Sequence, residues 1–169
     1  PKNIQQALYA PDWEEPIDLP GYNGKLRMAH PEQIKQVCAA IKLAKRPVIY
    51  AGGGIISGEA SEELRTLAKK TGIPVTMTVM GLGAFPSADP NSLDMLGMHG
   101  SVYANYAVEQ ADLLIALGVR FDDRVTGRLD QFSPSSKKIH VDIDPSSINK
   151  TVRVDLGIVG DAAFVLEDM

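Results

Sequence analysis

Asp112-Leu113-Leu114-Ile115-Ala116-Leu117-Gly118 is a nearly continuous apolar run closed by a glycine. A strand wet on one face would alternate apolar and polar residues, so the unbroken run predicts a strand buried on both faces, as in a parallel sheet covered by helices. The composition then reverses. Val119-Arg120-Phe121-Asp122-Asp123-Arg124-Val125-Thr126-Gly127 places Arg120, Asp122, Asp123 and Arg124 close together directly after the most apolar strand. Packing gives no reason for such charge there, whereas open parallel sheets bind ligands just beyond the carboxyl ends of their strands.

Upstream, Pro31 opens a helix whose apolar stripe runs through Ile34, Val37, Cys38, Ile41, Leu43 and Ala44 to Arg46, where Pro47 stops it. Val48-Ile49-Tyr50-Ala51 reads as a short strand entering Gly52-Gly53-Gly54. A second helix starts at Ser61 with Glu62 and Glu63 early and Lys69 and Lys70 late, as the helix dipole favours. Ile73 to Val79 is a second strand, and Gly81, Gly83, Pro86 and Pro90 predict a long loop after it. A helix over 102–110 precedes the opening run. Downstream, 138–144 and 156–160 are two more strands, and a last helix begins near Ala162. Strands alternating with helices define an α/β fold: one domain, doubly wound and Rossmann-like, with a mostly parallel sheet and helices on both faces.

The segment from Ala10 to Pro31 is rich in proline and follows no helical or strand period, so residues 1–30 are expected to be a connector and 31–169 the domain proper. Pro1-Lys2-Asn3-Ile4 lacks an initiator Met and reads as the end of a preceding unit, so a truncation is expected. Lys and Arg total 17 against 21 for Asp and Glu, a net charge of -4 that offers no footprint for nucleic acid. A single cysteine, Cys38, excludes an internal disulfide and predicts a reduced intracellular protein. No apolar run reaches the roughly 18 to 20 residues of a membrane span. Neither His30 nor His140 shares a ligand spacing with His99, so no metal site is expected.

Five strand-end segments are candidate ligand contacts. Gly52-Gly53-Gly54 lets backbone amides approach a phosphate or sugar, though such a run is as often a tight turn. Its spacing is not GxGxxG, and strand two ends in Thr78-Val79 rather than an acid, which disfavours NAD. Met95-Leu96-Gly97-Met98-His99-Gly100 suits a flat heteroaromatic ligand; otherwise Met98 fills a core gap and His99 caps the next helix. Arg120 and Arg124 suit pyrophosphate or ribose oxygens, with Asp122 and Asp123 orienting them, unless the four form a solvated salt-bridge cluster. Asp142-Ile143-Asp144 could accept from ribose hydroxyls, and Asp161 could meet an adenine amino group; helix capping explains Asp144 and Asp161 as well.

Taken together, Met95 to Gly100 followed by Ala104-Asn105, and Gly118 to Gly127, resemble the acetohydroxyacid synthase (acetolactate synthase) family of thiamine diphosphate enzymes, and the resemblance extends from about Pro31 to the C-terminus. It implies a central domain that holds FAD in an extended pose. The implied contacts are Gly52, Gly53, Thr78, Val79, Leu96, Gly97, Met98, His99, Gly118, Arg120, Asp122, Arg124, Val125, Asp142, Ile143 and Asp161. Residues matching Met98, Asp123 and Arg124 also border a herbicide channel in the family. Thiamine diphosphate and Mg2+ are implied in other domains of a parent chain, because the activating glutamate and the Gly-Asp-Gly metal motif are absent here. No catalytic residue is expected in this chain, which is expected to be inactive alone. The resemblance further implies flanking domains as partners and a homodimeric or homotetrameric parent, with or without a regulatory subunit. Its expected place is the cytoplasm, or a plastid or mitochondrion in a eukaryote. A stand-alone adenine-nucleotide module and the middle domain of another thiamine enzyme, a carboligase or a pyruvate oxidase, remain alternatives.

Overall fold

A computed structural model of the chain describes residues 6–8, 10 and 28–169. The connector expected over 1–30 therefore lies almost wholly outside the described residues. Helix α1 spans Pro31–Leu43. His30 caps it, its Nδ1 accepting from the Glu32 N–H at 3.3 Å while Gln33 Oε1 accepts from the His30 N–H at 3.1 Å. The helix stops three residues before the expected Arg46, because Ala44 is already extended ahead of Pro47.

Six strands follow: β1 (Pro47–Ala51), β2 (Val75–Met77), β3 (Ser92–Met95), β4 (Leu113–Leu117), β5 (Lys137–Asp142) and β6 (Leu156–Val159). All pair in parallel, in the order β3-β2-β1-β4-β5-β6. Helices α2 (Gly53–Ser57) and α3 (Ser61–Thr71) connect β1 to β2, α4 (Val102–Gln110) connects β3 to β4, α5 (Asp123–Thr126) follows β4, and α6 (Ala162–Glu167) follows β6. The chain leaves β1 towards β2 and β3, returns through α4, and leaves β4 in the other direction towards β5 and β6. The sheet thus reverses its order between β1 and β4, where a doubly wound fold opens its ligand crevice.

Successive side chains of a strand point to opposite faces, and the core divides accordingly. Ile49, Ala51, Ile115, Leu117, Ile139 and Val141 pack with α1, α3 and α6. Val48, Tyr50, Leu114 and Ala116 pack with α4 and with Phe121, Phe132 and Val152. The whole of β4 is buried, as its unbroken apolar run requires. Helix α3 carries Glu62 and Glu63 in its first turn and Lys69 and Lys70 in its last, then ends on Gly72 at φ +70°.

Two elements correct the sequence reading: β2 covers Val75–Met77 rather than Ile73 to Val79, with Val79–Gly81 turning into a 3-10 helix, and a strand appears at the sheet edge. Residues 92–95, expected within a long loop, form the edge strand β3. Its residues are all half-buried, and an extra residue interrupts its register between the pairs Val75–Ser92 and Met77–Met95. Asp94 absorbs that residue at φ +55°. Thr76 Oγ1 then donates to Asp94 O at 2.9 Å, and the Tyr103 hydroxyl donates to Asp94 Oδ2 at 2.9 Å.

Candidate functional site

The loops after the strands are held together by hydrogen bonds that continue beyond the ladder. Gly52 N–H donates to Leu117 O, Thr78 N–H to Ala51 O, Gly118 N–H to Val141 O and Gly160 N–H to Asp142 O, at 2.8–3.0 Å. At the switch point the backbones of two loops touch. A Cβ on Gly118, whose φ is +59°, would lie 2.5 Å from Gly54 Cα, and one on Gly52 would lie 2.2 Å from Gly118 O. The glycines after β1 and β4 are therefore needed first for this loop-to-loop contact.

The other two motif loops dock similarly. Asn105, on α4, accepts from Gly97 N–H at 2.8 Å and donates to Gly97 O at 3.0 Å, clasping a glycine at φ +99°. The next residue, Met98, donates its N–H to Arg124 O at 2.8 Å. This joins the loop after β3 to the turn after β4. The two segments that carry the sequence resemblance are thus neighbours in space, although Gly97 and Gly118 lie 21 positions apart in the chain.

Together the loops enclose a cleft of about 890 Å³ along the carboxyl ends of the strands, towards the upper end of the range for small-molecule sites. Of the expected residues, Gly53 lines it from the β1 side, Thr78 and Val79 from β2, and Leu96, Met98 and His99 from β3. Gly118, Arg120, Asp122, Arg124 and Val125 line it from β4, Asp142 and Ile143 from β5, and Asp161 after β6. Gly52 and Gly97 do not reach the lining; they are buried behind it and fix its shape.

The lining is divided by chemistry. Val79, Met80, Met98 and Ile143 are all more than half exposed and form an apolar rim, a surface suited to a flat ring. Met98 at 74% exposure does not fill a core gap, and Ser101, not His99, caps α4, its Oγ accepting from Ala104 N–H. Asp122 caps α5, and the Arg124 N–H, first among several contacts, holds its carboxyl below the usual carboxylate value. Arg124 approaches Asp122 and Asp123 at 3.7 and 3.5 Å, exposed contacts of little energetic weight. Arg120 makes no ion pair among the described residues. Asp144 accepts from the Ser146 hydroxyl and N–H, which hold its carboxyl low. Asp161 caps α6 through Ala163 N–H at 2.9 Å, as the capping reading expects, and also lines the cleft.

Phe121 supports this wall from behind. It is buried at φ +51°, an unusual backbone for a bulky residue, and its ring meets those of Tyr50, Phe132 and His140 edge-on at 5.8, 6.0 and 5.0 Å. His140 is fully buried, with Nε2 2.8 Å from Val119 O. Lining residues that sequence reading missed include Tyr50, Met80, Val141 and Ser147. For Tyr50 a signal existed, since a phenol stands out in an apolar strand two residues before a glycine loop.

The fold and the cleft define a doubly wound α/β domain with a cleft at the carboxyl ends of its strands. Residues 34–169 match the model of the thiamine pyrophosphate enzyme central domain, and the chain belongs to that family. Within the family, the chain is similar over its whole length to acetolactate synthases. It is 52% identical over 170 residues to chloroplastic acetolactate synthase 1 of Zea mays, covering all of this chain and 26% of that protein. Identity is 49% over 170 residues with chloroplastic acetolactate synthase 2 of Nicotiana tabacum (all of this chain, 25% of that protein), and 48% over 169 residues with acetolactate synthase of Mycobacterium bovis (all of this chain, 27% of that protein). The chain spans about a quarter of the length of these relatives.

Proposed function

We propose that this chain is the FAD-holding central domain of an acetolactate synthase, which condenses pyruvate with a second 2-ketoacid in branched-chain amino acid biosynthesis. The observation that carries the reading is the meeting of the two family-specific loops, through Met98 and Arg124, on the wall of a single cleft at the switch point. The cleft's chemistry fits FAD. An apolar rim suits the flavin ring, Arg120 and Arg124 supply the charge for the pyrophosphate, and carboxylates after β4, β5 and β6 accept from sugar hydroxyls. NAD fits less well. Where a nicotinamide domain carries an acid after β2, this chain has Thr78, whose hydroxyl is already accepting from Gly81 N–H.

When bound, FAD would contribute structure rather than electrons, since decarboxylation of pyruvate and transfer of its two-carbon unit involve no net redox change. The chain's own residues bind and orient: Arg120 and Arg124 grip anionic oxygens, Asp142 and Asp161 accept hydrogen bonds from hydroxyl or amino groups, and Gly97, clasped by Asn105, fixes the wall beside them. Thiamine diphosphate and Mg2+ would be held by other domains of the same polypeptide, with those domains and further copies of the chain as partners in a homodimer or homotetramer, with or without a regulatory subunit. The plant relatives named above are chloroplastic, so a plastid is the corresponding compartment if the source is a plant.

The full-length polypeptide, supplied with thiamine diphosphate and Mg2+, should form acetolactate from pyruvate. Absence of acetolactate under those conditions would sink the assignment. Reduction of bound flavin by pyruvate at each turnover would instead favour an oxidase.

A further inference from the structure

Tyr50 is fully buried, lines the cleft, and has a hydroxyl with no hydrogen-bond partner. Among the described residues, it is the only cleft-lining residue with a buried, unpartnered side-chain polar atom. A buried O–H without an acceptor is costly, and native proteins seldom leave one. The ring has little freedom to seek a partner. Tyr50 lies in register with Ala116 on β4 and, beyond it, His140 on β5, and the small alanine leaves room for Phe121 to wedge edge-on against both rings.

Two facts restrict what the phenol can meet. Burial pushes its ionisation well above the ordinary tyrosine value, so it remains a neutral donor. The Asp122 carboxylate is close enough to add to that upward push, and it too lines the cleft. A phosphate oxygen between the two would accept from Tyr50 but face the charge of Asp122. A hydroxyl satisfies both, accepting from the phenol and donating to the carboxylate.

We propose that Tyr50 is a further ligand-binding residue of the cleft, donating its O–H to a hydroxyl on the ribose or the ribitol chain of bound FAD. The inference rests on the reading of the cleft as an FAD site. Tyr50→Phe removes one oxygen that has no hydrogen-bond partner in the protein, so the fold should survive.

The test titrates FAD and ADP into the full-length polypeptide and its Tyr50→Phe variant, and melts both without ligand. The variant should melt no lower than wild type when ligand-free, yet bind FAD about tenfold more weakly. Equal weakening towards ADP places the hydroxyl on the ribose; unchanged ADP affinity places it on the ribitol. Equal FAD affinity in the two proteins, or a lower ligand-free melting temperature in the variant, overturns the role of Tyr50. A wild-type protein that binds no FAD overturns the FAD reading itself, and Tyr50's role with it.

Discussion

Arg120 and Asn105 show how differently two residues of one cleft can act. Arg120 is exposed, lines the cleft and has no ion-pair partner among the described residues, so its charge is available to a ligand. Arg120→Ala should leave the melting temperature nearly unchanged while weakening FAD binding roughly 10-fold to 150-fold, the range for hydrogen bonds to charged groups. Flavin titration checks this, and unchanged affinity would remove Arg120 from the site. Asn105 does not line the cleft but holds both polar groups of Gly97. Asn105→Ala should therefore cost about 1–2 kcal/mol in a denaturant titration, because two hydrogen bonds are lost together. Gly118→Ala should be worse than either. The added methyl combines an unfavourable φ with a backbone contact at 2.5 Å that no flexible side chain can relieve. Loss of soluble, folded protein is the expected outcome, read by expression and circular dichroism.

At the scale of elements, five of the six strands were legible and the edge strand β3 was not. The run 112–118 announces β4 because a strand covered on both faces needs apolar residues at every position, and β1 and β5 read nearly as well. β3 escapes because Ser92-Leu93-Asp94-Met95 is half-buried throughout, and its bulge at Asp94 breaks the two-residue period that would reveal it. Pairing with β2 creates that strand, and pairing is invisible in a local stretch of sequence. The turn from α1 into β1 also depends on a distant residue: Asp112, just ahead of β4, accepts from Lys45 N–H at 2.7 Å and Arg46 N–H at 2.9 Å. The Lys45 N–H foremost, and then that of Arg46, hold the Asp112 carboxyl below its ordinary value. A carboxyl whose pKa is depressed by folding adds stability that is fully present above its unfolded value and is lost as pH falls through the folded value. Asp122 and Asp144 are shifted in the same direction. Melting temperature should thus be level near neutrality and decline below about pH 4. Asp112→Asn should make that decline shallower, and a decline as steep as wild type would mean that Asp112 takes no part in it.

For the molecule as a whole, the position of the cleft was readable before its walls were. Strand-end glycines and charges pointed to the carboxyl edge of the sheet, and the cleft gathers residues from the loops after all six strands there. What the sequence left open was the division of labour among those loops. Gly52 and Gly97 shape the cleft from behind, whereas Tyr50, a residue of strand β1 itself, contributes to its lining. The central claim is that this cleft receives FAD in preference to a nicotinamide dinucleotide. The most direct measurement is a titration of FAD into the flavin-free full-length polypeptide, followed by flavin fluorescence, with and without excess NAD. Saturable binding of one FAD per chain that NAD does not displace is the predicted result; no saturable binding, or displacement by NAD at comparable concentration, would contradict it.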